Sequence, residues 1–362
     1  METKPRRSKA PAASSPRRRR LPGDPATRYA KAVVSGKTIA GPHVRAACAR
    51  HIKDLEEGAA RGLIWDQEAV VHALAFFTEV LCLNGGEYEG KPFELLAWQR
   101  FVVGSIFGWK TVDGHRRFRV AYVETAKGSG KSPLAAGIGM YGMVADNEAR
   151  AEIYAAATKK DQAMVLFRDA VAMWQLSPEL RSRLKTSGTG ENVWNLAYLE
   201  KGAFFRPISA DDGQSGPRPH IALIDEVHEH RNNTVVEMMR AGTKSRRQAL
   251  IFMITNSGSS KTSTCWGYHD YGAKVADGVL EDDTFFSYIC SLDVGEDPIR
   301  NEKCWAKANP SLQEADLPGI KYLREQVREA RGMPAKEALV RRLCFCEWTE
   351  AENPWISADV WL

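Results

Sequence analysis

No Cys-x-x-Cys pair occurs in the chain, and its seven cysteines are odd in number. That argues against a zinc ribbon and gives no support to a disulfide framework; the pattern reads as a protein of a reducing compartment. Cys344 and Cys346 flank Phe345 in the alternation of an element interior and read as core. No stretch approaches the roughly 18 to 20 apolar residues that span a bilayer, so no membrane partner is expected. No repeat recurs at a spacing of roughly 20 to 50 residues, which argues against a solenoid or propeller. The body of the chain also has little net charge. The first twenty residues, METKPRRSKAPAASSPRRRR, hold eight Lys or Arg against one acid, so they carry +7 of a total of +5 and leave the rest at −2. This arm has no apolar run of signal-peptide type and too little apolar surface to order itself. Residues 1–27 therefore read as a disordered basic arm, either a nucleic-acid contact or a solubilising tail.

What is present after the arm is first helical. HVRAACARHIKDLEEGAARG has apolar and small residues at helical spacing, with Gly62 as a stop. DQEAVVHALAFFTEVLCL opens on Asp66, and FELLAWQRFVVGSIFGWK carries a broad aromatic face. Together they define a helical region over residues 28–115. The period then changes. FRVAYVE (118–124), AEIYAAA (151–157), HIALIDE (220–226) and QALIFMITN (248–256) are apolar runs of strand length separated by helical patterns. NVWNLAYLE and GAFFRPIS read as a hairpin. Strands alternating with helices predict a P-loop-type α/β three-layer sandwich with a mainly parallel sheet over residues 116–260. Residues 261–362 read as a helical lid or linker subdomain, with GIKYLREQVREARG and AKEALVRRLCFCEW its clearest helices.

The stretch VETAKGSGKSPLAAG (123–137) carries the chemistry. It ends as a phosphate-binding loop does, although Thr125 stands where G-x-x-x-x-G-K-[ST] has its first glycine. It follows a strand and opens a helix, so backbone amides of Gly128, Ser129 and Gly130 and the helix N-terminus would face an anion. Lys131 would reach the β- and γ-phosphates of ATP, the Ser132 hydroxyl would bind Mg²⁺, and Lys127 adds a cation inside the loop. The strand HIALIDE supplies the other half: Asp225 as the second metal residue and Glu226 to orient or deprotonate water. His220, His228 and His230 lie nearby but not at the H-E-x-x-H spacing of a zinc helix. Asp293 and Asp297 read as a loop, not as a nuclease pair.

These elements in this order resemble the large terminase subunit of tailed bacteriophages, the lambdoid HK-type branch. The resemblance is carried by RYAKAVVSGKTIAGPHVRAACARHIKDL, LLAWQRFVVGSIFGWK, ETAKGSGKSPLAAG, SADDGQSGPRPHIALIDEVHEH, ITNSGSS and WAKANPSL…NPWIS. It implies an ATPase motor that drives double-stranded DNA into a procapsid in the host cytoplasm, with portal protein and small terminase subunit as partners. It also implies a homo-oligomeric ring on the procapsid, whatever the state in isolation. A deviant loop with an early cation, here Lys127, is a family trait. Gln99 beside Trp98 matches the family's adenine-contacting segment, and Thr255 with Asn256 its coupling motif. A ring motor takes an arginine from a neighbour; Arg168, Arg206, Arg218, Arg240 and Arg246 are unranked candidates. The family's nuclease domain would begin near NPWISADVWL, so no nuclease activity is expected of this chain. Two other readings stand beside the motor: a non-catalytic nucleotide-binding scaffold, and a small-molecule P-loop kinase.

Overall fold

The computed structural model describes residues 24–209, 216–230 and 232–349. Most of the basic arm lies outside these, but its last residues depart from the disordered reading, because helix α1 (Pro25–Val34) begins within them. The reason is local. The Asp24 carboxylate accepts from the Thr27 amide at 2.9 Å, the Thr27 hydroxyl at 2.8 Å and Trp65 Nε1 at 3.0 Å. Pro25 sits at the first helical position, where a missing N–H costs little.

Three further helices complete this region: α2 (Pro42–Glu57), α3 (Gln67–Val80) and α4 (Ala97–Gly108). A small ribbon pairs β1 (Leu63–Trp65) with β2 (Trp109–Thr111). Asp66 caps α3 by accepting from the Ala69 amide at 3.0 Å. Helix α4 is buried almost all round, since α1 and α3 cross it at glycines. A methyl group at Gly104 would stand 2.7 Å from Ala26 Cβ, and one at Gly108 2.3 Å from Val70 Cγ2.

The α/β layer follows. Its first half runs β3 (Val120–Glu124), α5 (Lys131–Val144), β4 (Glu152–Ala157), α6 (Lys160–Leu176), α7 (Pro178–Arg183), β5 (Lys185–Ser187), β6 (Asn195–Tyr198) and β7 (Ala203–Ser209). Its second half runs β8 (Ile221–Ile224), α8 (Thr234–Gly242), β9 (Leu250–Thr255), α9 (Thr264–Ala276) and β10 (Phe285–Ile289). These strands form one sheet in the order β10-β3-β9-β8-β4-β7-β6-β5. The pairs from β10 to β7 are parallel; β6 and β5 extend the edge antiparallel. Strands β3, β8 and β9 are buried at every position, as parallel strands covered on both faces must be. Helices α5 and α6 cover one face, while α8 and α9 cover the other.

The sheet does not end near residue 260. Strand β10 adds the far edge beside β3, pairing Ile289 with Glu124. Its sequence, FFSYI, is a short apolar run that periodicity cannot separate from a buried helix segment; its place is decided by the open edge of β3. Beyond it, α10 (Trp305–Ala308), α11 (Leu312–Ala315), α12 (Ile320–Gly332) and α13 (Pro334–Phe345) are helical as read. Cys344 and Cys346 are buried at the end of α13, and the seven thiols are free.

Helix α5 lies unusually close to the sheet, which fixes the loop before it. At Gly142 a methyl group would come within 2.3 Å of Ile221 Cδ1, and at Gly139 within 2.8 Å of Leu223 Cδ1. Interiors of this density do not absorb such overlap without backbone shifts.

Candidate functional site

The sheet order brings three chain segments together at one end. Strand β9 lies between β3 and β8, so the residues leaving all three carboxyl ends are neighbours. This is where open parallel sheets bind ligands.

After β3 the chain turns through residues 125–130 into α5. Thr125 is fully buried, and its amide bonds Thr255 O at 3.2 Å. It therefore continues the β3–β9 ladder, a place for a β-branched residue, and no glycine is required there. Glycine is required later. Gly128 and Gly130 have φ of 86° and 84°, and a methyl group at Gly128 would meet Pro318 Cβ at 2.7 Å. The Ser129 hydroxyl donates to Ala126 O at 2.9 Å and braces the turn.

Lys131 opens α5 and is buried. Its ammonium donates to Thr125 O (2.8 Å), Ala126 O (3.0 Å) and Asn256 Oδ1 (2.8 Å). Burial pushes its pKa down, while Glu226 and Asp225 push the other way. The Lys127 side chain is exposed at the mouth of the loop, and its backbone amide donates to Leu343 O at 2.8 Å. A helix N-terminus, a buried ammonium and a second cation make this end of the sheet electropositive.

The end of β8 answers with carboxylates. The Ser132 hydroxyl stands 3.4 Å from Asp225 Oδ2, and Asp225 Oδ1 accepts the Glu226 amide at 2.8 Å. Burial raises the Asp225 pKa. Glu226 has φ 48° and ψ 50°, a left-handed conformation that a glutamate adopts only when its surroundings impose it. Its Oε2 is buried with no hydrogen-bond partner among the described residues, yet 35% of the side chain remains exposed, so water can reach the carboxylate. Burial, then the charge of Asp225, raises its pKa to about 7.

The three histidines near this strand diverge. His220, at the opposite end of β8, bonds Asp146 Oδ2 at 2.6 Å. His230 Nε2 meets Asp225 O at 3.1 Å. His228 turns to Thr255: its backbone N–H and its ring Nδ1 each lie 3.1 Å from Thr255 Oγ1. Thr255 and Asn256 thus stand between the loop lysine and the strand carrying Glu226.

Trp98 and Gln99 take a different position from the one expected of a ligand-facing pair. Trp98 is buried and stacks on Tyr288 at 5.4 Å; its Nε1 donates to Ser311 Oγ at 2.8 Å, and Ser311 donates to Ser129 O at 3.0 Å. The Gln99 amide accepts from Leu96 N at 2.9 Å, capping its own helix, and donates to Gly130 O at 3.3 Å. Both residues brace the loop from behind. Among the arginines, Arg206 lies over the Tyr154 and Phe204 rings, and Arg246 is held by Glu148 and two backbone carbonyls. Arg240 bonds the Tyr268 hydroxyl, whereas Arg168 and Arg218 have exposed side chains.

Four further residues act on the site, of which only His228 was named from the sequence. His228 and Ser311 are described above. Arg342 follows from α13, close enough for its charge to act on His228, with its carbonyl accepting from Ser257 at 2.9 Å. Glu124, immediately before the loop, is fully buried and holds His269 (2.9 Å), Tyr122 (2.8 Å) and Trp348 (3.1 Å). The acid closing an apolar strand run was the available signal for Glu124; Ser311 and Arg342 had none.

Ser132 and Asp225 offer only oxygen, and no group of three or more His, Cys, Asp or Glu able to hold an ion exists among the described residues. Two oxygens suit Mg²⁺, which keeps waters and completes its shell with phosphate oxygens.

Comparison with known proteins points to a domain family over the middle of the chain. Residues 97–274 match the family described as terminase large subunit, ATPase domain. The chain carries a terminase large subunit ATPase domain. It is 22% identical over 294 residues to the terminase large subunit of Enterobacteria phage HK97, covering 80% of this chain and 55% of that protein. It is 29% identical over 183 residues to protein YmfN of Escherichia coli K12, covering 50% of this chain and 38% of that one. The terminase domain thus sits in a chain spanning about half, or less, of the curated relatives it matches. The crystal structure of the HK97 bacteriophage large terminase superposes with a TM-score of 0.66 at 20% identity, covering 81% of this chain and 58% of that one. The P-loop-type α/β sandwich expected from sequence is the fold observed.

Proposed function

We propose that this chain hydrolyses ATP with Mg²⁺ and uses the hydrolysis to move double-stranded DNA into a procapsid. The observation that carries the reading is the convergence of Lys131, the Ser132–Asp225 pair and the half-exposed Glu226 on the shared end of β3, β9 and β8. All four residues lie within the stretch 97–274 that matches the terminase ATPase domain family, which supports the reading.

In this reading Lys131 exchanges its bonds to Thr125 O, Ala126 O and Asn256 Oδ1 for the β- and γ-phosphates. The amides of residues 128–130 and the α5 N-terminus hold the remaining phosphate charge, and Lys127 closes over it from the mouth. Ser132 and Asp225 would hold Mg²⁺, which when bound neutralises charge developing on the phosphate oxygens. Glu226 takes the proton of a water whose oxygen bonds to the γ-phosphorus, as the bond to the β–γ bridging oxygen breaks and ADP leaves. A base with a pKa near 7 is suited to that step. Gln99 would release Leu96 N or Gly130 O to read the adenine edge beside Trp98.

Thr255 and Asn256 touch both halves of this machinery, which supports a coupling role. The chain would act in the host cytoplasm, in a ring with portal protein and small terminase subunit as partners. Arg168 and Arg218 are the candidates best placed to reach a neighbour, since Arg206 and Arg246 are engaged at home. Residues 28–115, 116–260 with the added β10 edge, and the helical segment after it are proposed as the working subdomains. DNA contact to phosphates would be sequence-independent and salt-sensitive. The test is ATP turnover of the full chain against protein concentration, with and without double-stranded DNA of unrelated sequences. Stimulation by either duplex, lost at high salt, supports the motor. ATP bound without turnover under all these conditions favours the scaffold reading instead.

A further inference from the structure

A continuous line of polar contacts crosses the site. Lys131 Nζ meets Asn256 Oδ1 at 2.8 Å, and the Thr255 hydroxyl donates to Asn256 O at 2.8 Å. With its proton given to Asn256 O, that hydroxyl accepts from the groups it faces, which are the His228 backbone N–H at 3.1 Å, the His228 ring Nδ1 at 3.1 Å and Cys265 Sγ at 3.6 Å. In this arrangement Nδ1 carries the ring proton. The same nitrogen lies 3.3 Å from Glu226 Oε2, the buried oxygen that has no hydrogen-bond partner among the described residues. One N–H therefore looks toward two oxygens, one on the strand beside the loop lysine and one on the water-activating carboxylate.

We propose that His228 is a positioning residue that fixes the Glu226 carboxylate and ties its orientation to Thr255. This rests on the ATPase reading of the site. Glu226 needs such a partner because its backbone is left-handed and its inner oxygen is otherwise unsatisfied; an unsupported carboxylate would sample rotamers in which no oxygen faces the attacking water. His228 remains neutral, since burial, with Arg342 and Lys131 adding to it, pushes its pKa down to about 4. It thus acts as an oriented dipole and not as a charge. When Lys131 leaves Asn256 Oδ1 for phosphate, Asn256 is free to shift and carries with it the Thr255 hydroxyl bonded to its backbone carbonyl, so that the N–H of His228 shifts its weight toward Glu226. In this way the base is aligned only when the loop is filled.

Two measurements on the full chain test this. The first is steady-state hydrolysis and binding of a fluorescent ATP analogue for wild type, Glu226→Gln, His228→Ala, His228→Gln and His228→Asn, the His228 variants each checked for an unchanged melting transition. An asparagine amide nitrogen can occupy the Nδ1 position; a glutamine amide reaches the Nε2 position. Alanine and glutamine should lower kcat by about 10- to 100-fold, with KM and nucleotide affinity held within about twofold, whereas asparagine should recover most of the loss. Adding Thr255→Val to His228→Ala should cause little further loss, because the two share one path. Glutamine equal to asparagine, or a loss residing in KM, would overturn the assignment while leaving the ATPase reading intact. Turnover indifferent to Glu226→Gln would instead remove the reading and this inference together. The second measurement is the imidazole ¹⁵N spectrum of histidine-labelled protein: His228 should show the Nδ1–H tautomer, and an Nε2–H tautomer contradicts the proposal whatever the rates.

Discussion

At the carboxyl ends of β3, β8 and β9, the residues singled out from sequence stand with bonding capacity to exchange. Lys131 holds loop carbonyls, Ser132 is 3.4 Å from Asp225, and one Glu226 oxygen has no partner among the described residues. On α4, behind the same loop, Trp98 and Gln99 are bonded to the protein itself, the indole through Ser311 and the amide through Leu96 and Gly130. The difference lies in what sets each position. Strand ends are placed by the sheet, which forms with or without a ligand. The α4 pair is placed by the loop and by Ser311, a residue of the C-terminal helical segment, so its role depends on how those parts sit. Motif residues at strand ends can be read for chemistry directly; residues gripping a loop must first be read for what they hold.

The comparison is sharpest at Lys131. Removing it with Lys131→Ala should leave the sheet intact but reduce ATP affinity by at least about 100-fold, since charge-assisted bonds to phosphate are lost together with the loop's own brace. Calorimetric titration with Mg-ATP checks this, and an unchanged affinity would put the nucleotide elsewhere. The next effect is on pH. Because the Glu226 carboxyl titrates near 7, kcat/KM should fall about tenfold per unit as pH drops below about 7 and level off above it. The same shift has a stability side. Folded Glu226 holds its proton to higher pH than the unfolded chain does, so this group's contribution to stability declines as pH rises from the ordinary carboxylate range to about 7. Glu226→Gln should therefore melt above wild type at pH 8 and match it near pH 4.

The smallest effects belong to the α4 side. Ser311→Ala leaves Trp98 Nε1 and Ser129 O unpaired and should lower stability by about 1 to 3 kcal/mol in denaturant unfolding. Gln99→Ala removes a helix cap and should destabilise by about 1 kcal/mol. If it also weakens ATP binding tenfold or more, Gln99 leaves its cap to meet the ligand; if not, the two sides of the site are as distinct as their bonding suggests.

Much of the fold was legible because parallel strands buried on both faces are written as uninterrupted apolar runs, as VAYVE, IALI and LIFMIT show. The order of those strands was not written there, and it is the order that brings Thr255 between Lys131 and Glu226. Strand β10 escaped because FFSYI, unlike VAYVE, leads into the loop CSLDVGEDP and not into the glycine turn and helix of a βα unit, and Pro25–Thr27 because a single capping aspartate outweighs a Pro-rich, basic context. At the site, spacing pointed to Lys131, Ser132, Asp225 and Glu226 through local rules of loop and strand. It was silent on Ser311, Leu343 and Pro318, which reach the loop from far along the chain and carry no motif. Thr125 shows the reverse case: a residue that breaks a pattern on paper fits the ladder it extends.

The central claim is that Glu226 activates water while Lys131, Ser132 and Asp225 hold Mg-ATP. The most direct measurement is a paired one on Glu226→Gln: single-turnover hydrolysis and Mg-ATP affinity, beside wild type under conditions that give wild-type turnover. The account predicts hydrolysis reduced by about 100-fold or more, the scale of a lost general base, with affinity equal to or tighter than wild type. Hydrolysis persisting at the wild-type rate with binding intact would contradict it.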